Sequence, residues 1–145
     1  MAKANDKIQK HLDQWKHNRS LIGQIPATHP DWVVTIVFYT AVQLIDAVLA
    51  HEDVSVSNHE TRFKAIGAIN RLKRVGVLYH PLYDLCRKVR YTANPTLWVP
   101  PDSIDEKIIR GCLLPLERSV ENLLGNPLDA EIITLSWATR CLPVT

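Results

Sequence analysis

Glycine is scarce in this chain: five residues in 145, with no G-x-G-x-x-G and no P-loop among them. A glycine-rich loop that cradles phosphate is therefore excluded. The G-x-S-x-G turn that raises a serine nucleophile is missing as well. The three cysteines, Cys86, Cys112 and Cys141, are odd in number and lack a Cys-x-x-Cys spacing, so neither a disulfide framework nor a zinc site is signalled. Such usage fits a reducing cytoplasm. Cys86 falls on the rim of an apolar helical face and reads as core rather than as a nucleophile.

Charge of one sign is lacking too. A net charge of +2, with 22% charged residues of mixed sign, carries no general surplus for nucleic acid or a membrane surface, so any basic site must be local. The opening stretch "MAKANDKIQKHLDQW" is charged throughout and contains no apolar run of signal-peptide length. One segment, "WVVTIVFYTAVQLIDAVLA", has the length of a membrane span, but Thr35, Gln43 and Asp46 interrupt it and no lysine or arginine flanks it closely. It is expected to be a buried helix, with no membrane partner.

What the chain does have is helical periodicity nearly everywhere. At 46% hydrophobic it can build a sizeable core, and its length suits one domain, expected over 1–125 with a docked tail over 126–145. Ile8, Leu12, Trp15 and Ile22 share a face of a first helix over 5–23. A second helix opens at "THPDW", where Pro30 suits the first position and Asp31 the positive end of the dipole. At about 100° per residue its few polar groups, Thr35, Tyr39, Gln43 and Asp46, fall into one stripe that must meet water or polar partners.

Ser57 and Glu60 form an S-x-x-E capping box for a third helix that buries Phe63, Ile66 and Ile69, with Gly76 just past its end. The fourth helix, "YHPLYDLCRKVRYTANP", presents Leu78, Leu82, Leu85 and Val89 to the core. After the prolines of "NPTLWVPP", a second box, Ser103 with Glu106, opens a fifth helix that Pro115 kinks and "GNP" ends. No strand alternation is present, so the class is all-α.

The fourth helix also carries the most suggestive chemistry. His80, Tyr83, Arg87, Arg90, Tyr91 and Asn94 fall within roughly one third of its circumference, opposite the apolar face. Two guanidiniums interleaved with tyrosines suit phosphate binding and base stacking. The plain alternative is a solvated face on which Asp84 pairs with Arg87 or Lys88. His59 and Arg62, one turn apart in "NHETR", either reach an anion or simply solvate a helix end. His51, Glu52 and Asp53 form a polar helix exit with too few ligands for a metal, and no cofactor is implied.

Three stretches together resemble the HEPN superfamily, the higher eukaryotes and prokaryotes nucleotide-binding domains. "DWVVTIVFYTAVQLIDAVLA" is similar to that family's W-x-x-x-x-FY-x-A-x-x-L-I-x-A-x-L helix, "NHETR" to its H-x-x-R, and "LYDLCRKVRY" to its Y-x-x-L-x-x-x-R-x-x-R-Y. The likeness spans about Trp32 to Tyr91, within a HEPN-like core over 30–125. It implies an up-and-down bundle of four to five helices, commonly a two-fold homodimer that joins the polar faces. Catalytic members are metal-independent ribonucleases with an Arg-x(4–6)-His motif, often toxins or parts of phage defence. Arg87 or Arg90 matches the motif arginine, but no histidine follows His80.

That departure matters because RNA cleavage needs a group that titrates near neutral pH, which arginine does not. The expectation is a non-catalytic module, linked to toxin–antitoxin or phage-defence systems, that binds RNA, a nucleotide or an acidic partner protein. Its ligand-binding residues are Arg87, Arg90, Tyr83, Tyr91, His80, Asn94 and Arg62. Two alternatives stand beside it: an endoribonuclease in which His80 or His59 serves with Arg87 and Arg90, and a dimeric scaffold whose polar stripe is an interface.

Overall fold

The computed structural model describes residues 2–26, 28–91 and 103–128, the side chains of 2–4 excepted. Among these residues there is no strand, and the fold is an all-α helical bundle. Asn94 and the tail from 129 onward lie outside the described residues.

Helix α1 (Ala2–Ile22) begins three residues before the expected start and buries Trp15 and Ile22. Helix α2 (Pro30–His51) runs antiparallel to it, with Gln43 opposite His11 and Ser55 opposite Lys7. By length and hydropathy α2 could cross a membrane, yet 72% of its most apolar window is buried by its neighbours. That coverage is what a central core helix requires. Its exit folds back sharply: the Val54 N–H donates to the Leu49 carbonyl, and Asp53 takes a left-handed φ of 59°, which aspartate tolerates better than bulkier residues.

Helix α3 (His59–Ala68) is capped one residue later than the Ser57–Glu60 spacing predicts. Asn58 is the extended residue, its Oδ1 accepts the Thr61 N–H at 2.8 Å, and the Thr61 hydroxyl accepts the Asn58 N–H at 3.3 Å. Asn outcompetes its neighbour because its carbonyl reaches the N3 amide from an extended backbone. A 3₁₀ turn (Asn70–Leu72) leads directly into helix α4 (Lys73–Tyr91), which starts earlier than expected. Gly76 thus lies inside α4, not beyond α3. A Cβ there would stand 2.9 Å from the Ile66 Cγ2, so the missing side chain is what lets α3 and α4 approach closely.

The last helical stretch has two windings. Ile104–Leu113 is π-helical, and helix α5 (Leu114–Leu124) continues as an α-helix with Pro115 in its first turn, where no N–H is needed. The Leu114 N–H donates to the Ile109 carbonyl, five residues back. The break expected from Pro115 therefore takes the form of a change of winding. The Ser103–Glu106 box does not form: Ser103 is already helical and its side chain makes no cap bond. Gly125, left-handed at φ 76°, ends α5 as glycine commonly does.

One hydrophobic cluster joins all these elements, from Trp15 through Val37, Leu44, Leu72 and Tyr79 to Leu113 and Val120. A buried polar clip crosses it. The Glu117 carboxylate of α5 accepts hydrogen bonds from Trp15 Nε1 at 3.0 Å and from the Arg19 guanidinium, all within the protein. Burial holds the Glu117 carboxyl above its usual range, against the pull of Arg19 and Trp15.

The glycine geometry makes a paired prediction for urea denaturation. Gly76→Ala is expected to lose about 1–3 kcal/mol, because the stiff, buried Ile66 methyl cannot swing aside. Gly67→Ala, whose new methyl meets nothing within 4 Å, is expected to gain roughly 0.5–1 kcal/mol from helix propensity.

Candidate functional site

Each polar group of the α2 stripe meets its own partner. Thr35 Oγ1 donates to the Asp31 carbonyl at 2.9 Å, as hydroxyls in helix interiors often do. Gln43 Oε1 lies 2.9 Å from His11 Nδ1 of α1. Asp46 accepts both Arg62 Nε at 2.8 Å and Arg62 Nη2 at 3.1 Å, a bidentate pair between α2 and α3. The Tyr39 hydroxyl accepts from Arg90 Nη1 at 3.0 Å, which ties α2 to the end of α4.

Around that stripe the rings form a continuous group. Phe38 touches Tyr39, His59, Tyr79 and Tyr83, with centroids 5.3 to 5.9 Å apart, and His59 lies 5.5 Å from Tyr83. Phe63 extends the group to His80 at 4.8 Å and to Tyr83 at 4.6 Å. Tyr79 is fully buried, its hydroxyl has no regular hydrogen-bond partner, and burial pushes its pKa up to about 12. It stays neutral beside Arg62.

The histidine of the H-x-x-R pair has a defined protonation state. Arg62 Nη1 approaches His59 Nδ1 at 3.1 Å, and a guanidinium can only donate, so Nδ1 must carry the lone pair and Nε2 the proton. Burial lowers the His59 pKa, and the charges of Arg62 and Arg90 lower it further, with Asp46 opposing. Neutral His59 is thus favoured at pH 7. Burial works against the charge of Arg62, but its bond and charge contact with Asp46 outweigh that, and the guanidinium stays ionised.

On the outward side of α4 the arginines are differently placed. Arg87 and Arg90 are exposed and make no ion pair among the described residues. The carboxylate expected to neutralise Arg87 or Lys88 turns elsewhere: Asp84 stands 3.7 Å from His80. Arg87 lies over the Tyr83 ring at 5.8 Å and Arg90 over the Tyr91 ring at 5.5 Å, both within cation–π range. Tyr91 is 77% exposed, so its other face is open to a stacking partner. Asp84, Arg87, Lys88 and Tyr91 border an open depression of about 380 Å³.

The residues singled out by sequence therefore divide into two groups. Arg87, Arg90, Tyr83, Tyr91 and His80 stand together on α4. Arg62 does not stand with them as a surface ligand: it is 6% exposed and locked to Asp46, so its guanidinium is structural. Sequence reasoning gave no place in the site to Tyr39, although its position in the α2 stripe was the available signal. Phe38 and Phe63, which join the two histidines to Tyr83, left no signal beyond apolar periodicity. Cys86 is buried, and burial raises its thiol pKa, which leaves it protonated and inert. Glu52 pairs with Arg71 at 3.4 Å, and no three of His, Cys, Asp and Glu converge among the described residues.

No protein-family model matches this chain, and neither a curated protein nor a solved structure matches it.

Removing one partner of the Asp46–Arg62 pair would leave a buried charge alone. Asp46→Ala is expected to cost roughly 3–5 kcal/mol in chemical denaturation, whereas Asp46→Ala combined with Arg62→Met should recover a large part of that loss. An additive double variant would show that the pair is not coupled.

Proposed function

We propose that the outward face of α4 binds a phosphate-bearing ligand, RNA or a nucleotide, and does not cleave it. The observation that carries this reading is the pair Arg87 and Arg90: exposed, without an ion pair among the described residues, and each lying over a tyrosine ring. A guanidinium backed by an aromatic ring keeps its donors free for phosphate while the ring offers a stacking surface for a base. The local concentration of such groups suits a chain whose overall charge is nearly balanced. The likeness of "LYDLCRKVRY" to the HEPN arginine–tyrosine helix supports the same reading.

The ribonuclease alternative draws on His59, which feels the charges of Arg62 and Arg90 and is held neutral by its burial and by them. A general base needs an open lone pair, and the one on Nδ1 already accepts from Arg62. His59 as bonded here is a donor through Nε2. His80 lies beside Asp84 and Phe63 on the exposed side of α4. His59 thus lacks the open lone pair of a free base, which favours binding over cleavage, and His80, with Asp84 beside its Nδ1, is the histidine that a cleavage test must address.

The test is fluorescence anisotropy with labelled single-stranded RNA at several salt concentrations, with a denaturing gel of the same mixtures in chelator. The Arg87→Ala, Arg90→Ala double variant is expected to bind about tenfold or more weakly, with a shallower salt dependence, and the RNA should stay intact throughout. Equal binding by the double variant would remove α4 from the site. Cleavage lost in His80→Ala or His59→Ala would establish the ribonuclease reading instead. A change only in the monomer–dimer balance would make the stripe an interface.

A further inference from the structure

The His59–Arg62–Asp46 chain has a property that no ligand is needed to reveal. Helix α3 buries only Arg62 and Ile66 of its ten residues. Its polar attachment to α2 is the bidentate Arg62–Asp46 pair, and the same guanidinium donates its remaining Nη1 to His59 Nδ1. That last bond exists only while Nδ1 is unprotonated.

From this geometry we infer that His59 is a proton-operated latch: protonation of its ring releases α3 from α2. The groups that face the ring are Arg62 on its own helix, Asp46 and Phe38 on α2, and Arg90 and Tyr83 on α4. A proton on Nδ1 turns the Arg62 contact from a hydrogen bond into a repulsion, with Arg90 adding to it. Asp46 opposes that repulsion, but with a carboxylate whose two oxygens already accept from Arg62. Any hydrogen bond that a charged His59 donated to Asp46 would compete with the α2–α3 pair. The sign follows from linkage: released His59 returns to the ordinary value of 6.5, while latched His59 titrates lower, so release is favoured as pH falls below 6.5.

Hydrogen exchange of the full-length protein from pH 7.5 to 5, corrected for intrinsic rates, reads the latch directly. Protection of the amides of 63–68 is expected to fall by up to about tenfold per pH unit between 6.5 and the latched pKa, while the core of α2 and α4 keeps its protection. His59→Asn, whose Oδ1 takes the place of Nδ1 as an acceptor for Arg62 but does not titrate, is expected to hold α3 protection flat over the same range, and His59→Gln repeats the test. Three results would each overturn the latch: α3 protection in the native protein that does not change with pH, a loss shared equally by every helix, or an undiminished acid loss in the His59 variants. An imidazole titration followed by NMR with a midpoint at or above 6.5 would overturn it as well.

Discussion

A helix buried on almost every side cannot leave a carboxylate, an amide and a phenol unpaired. In α2 these are Asp46, Gln43 and Tyr39, and the positions of the surrounding helices are tied to satisfying them. Burying an unpartnered amide or hydroxyl costs a few kcal/mol, and an unpaired carboxylate costs more. The stability of a whole domain is only about 5–15 kcal/mol, so the half-buried Asp46 and Gln43 must be met, while the Tyr39–Arg90 bond lies exposed at the rim. Gln43 brings His11 of α1, Asp46 brings Arg62 of α3, and Tyr39 brings Arg90 of α4. Apolar faces drive the collapse, but they tolerate several rotations of one helix against another. Paired polar groups tolerate few.

Helix α5 is bound by the same logic without touching that stripe. Glu117 enters the core with no partner of its own on α5 and is met by Trp15 and Arg19 of α1. Two carboxylates, half-buried Asp46 and buried Glu117, thus attach α3 and α5 to the α1–α2 pair. Each takes donors from one neighbouring helix in a forked arrangement that a slip of one turn would destroy. Such pairs add little net stability over well-packed apolar residues. Their effect here is on register, since a misdocked α3 or α5 would strand a charge.

How far this was legible from sequence depends on the range of the interaction concerned. The helices themselves follow from local periodicity, and so does the gathering of Thr35, Tyr39, Gln43 and Asp46 on one face. The partner of each does not, because it depends on helix rotation: Arg62 reads equally well as a surface anion ligand until Asp46 is found 2.8 Å away. Glu117 and Trp15 stand 102 residues apart, and no spacing rule joins them. Misplaced caps have a different cause. Ser57–Glu60 and Asn58–Thr61 are overlapping signals one residue apart, and only the backbone at Asn58 decides between them. By spacing Gly76 reads as punctuation after α3, whereas its function is steric, set by an Ile66 methyl on another helix.

The same residue types do opposite work in and beside the stripe, and burial is what separates them. Arg62, 6% exposed, has its donors taken by Asp46 and His59 and holds two helices together. Arg87 and Arg90 sit at the rim, where each guanidinium rests on a ring and faces solvent. Arg90 belongs to both sets, since one nitrogen is anchored on Tyr39 and its charge is felt by His59. An anion arriving at Arg90 would therefore partly cancel one of the charges that lower the His59 pKa. Ligand charge and the protonation of His59 would then be linked through that single guanidinium, so an occupied α4 face would favour the imidazolium more than an empty one.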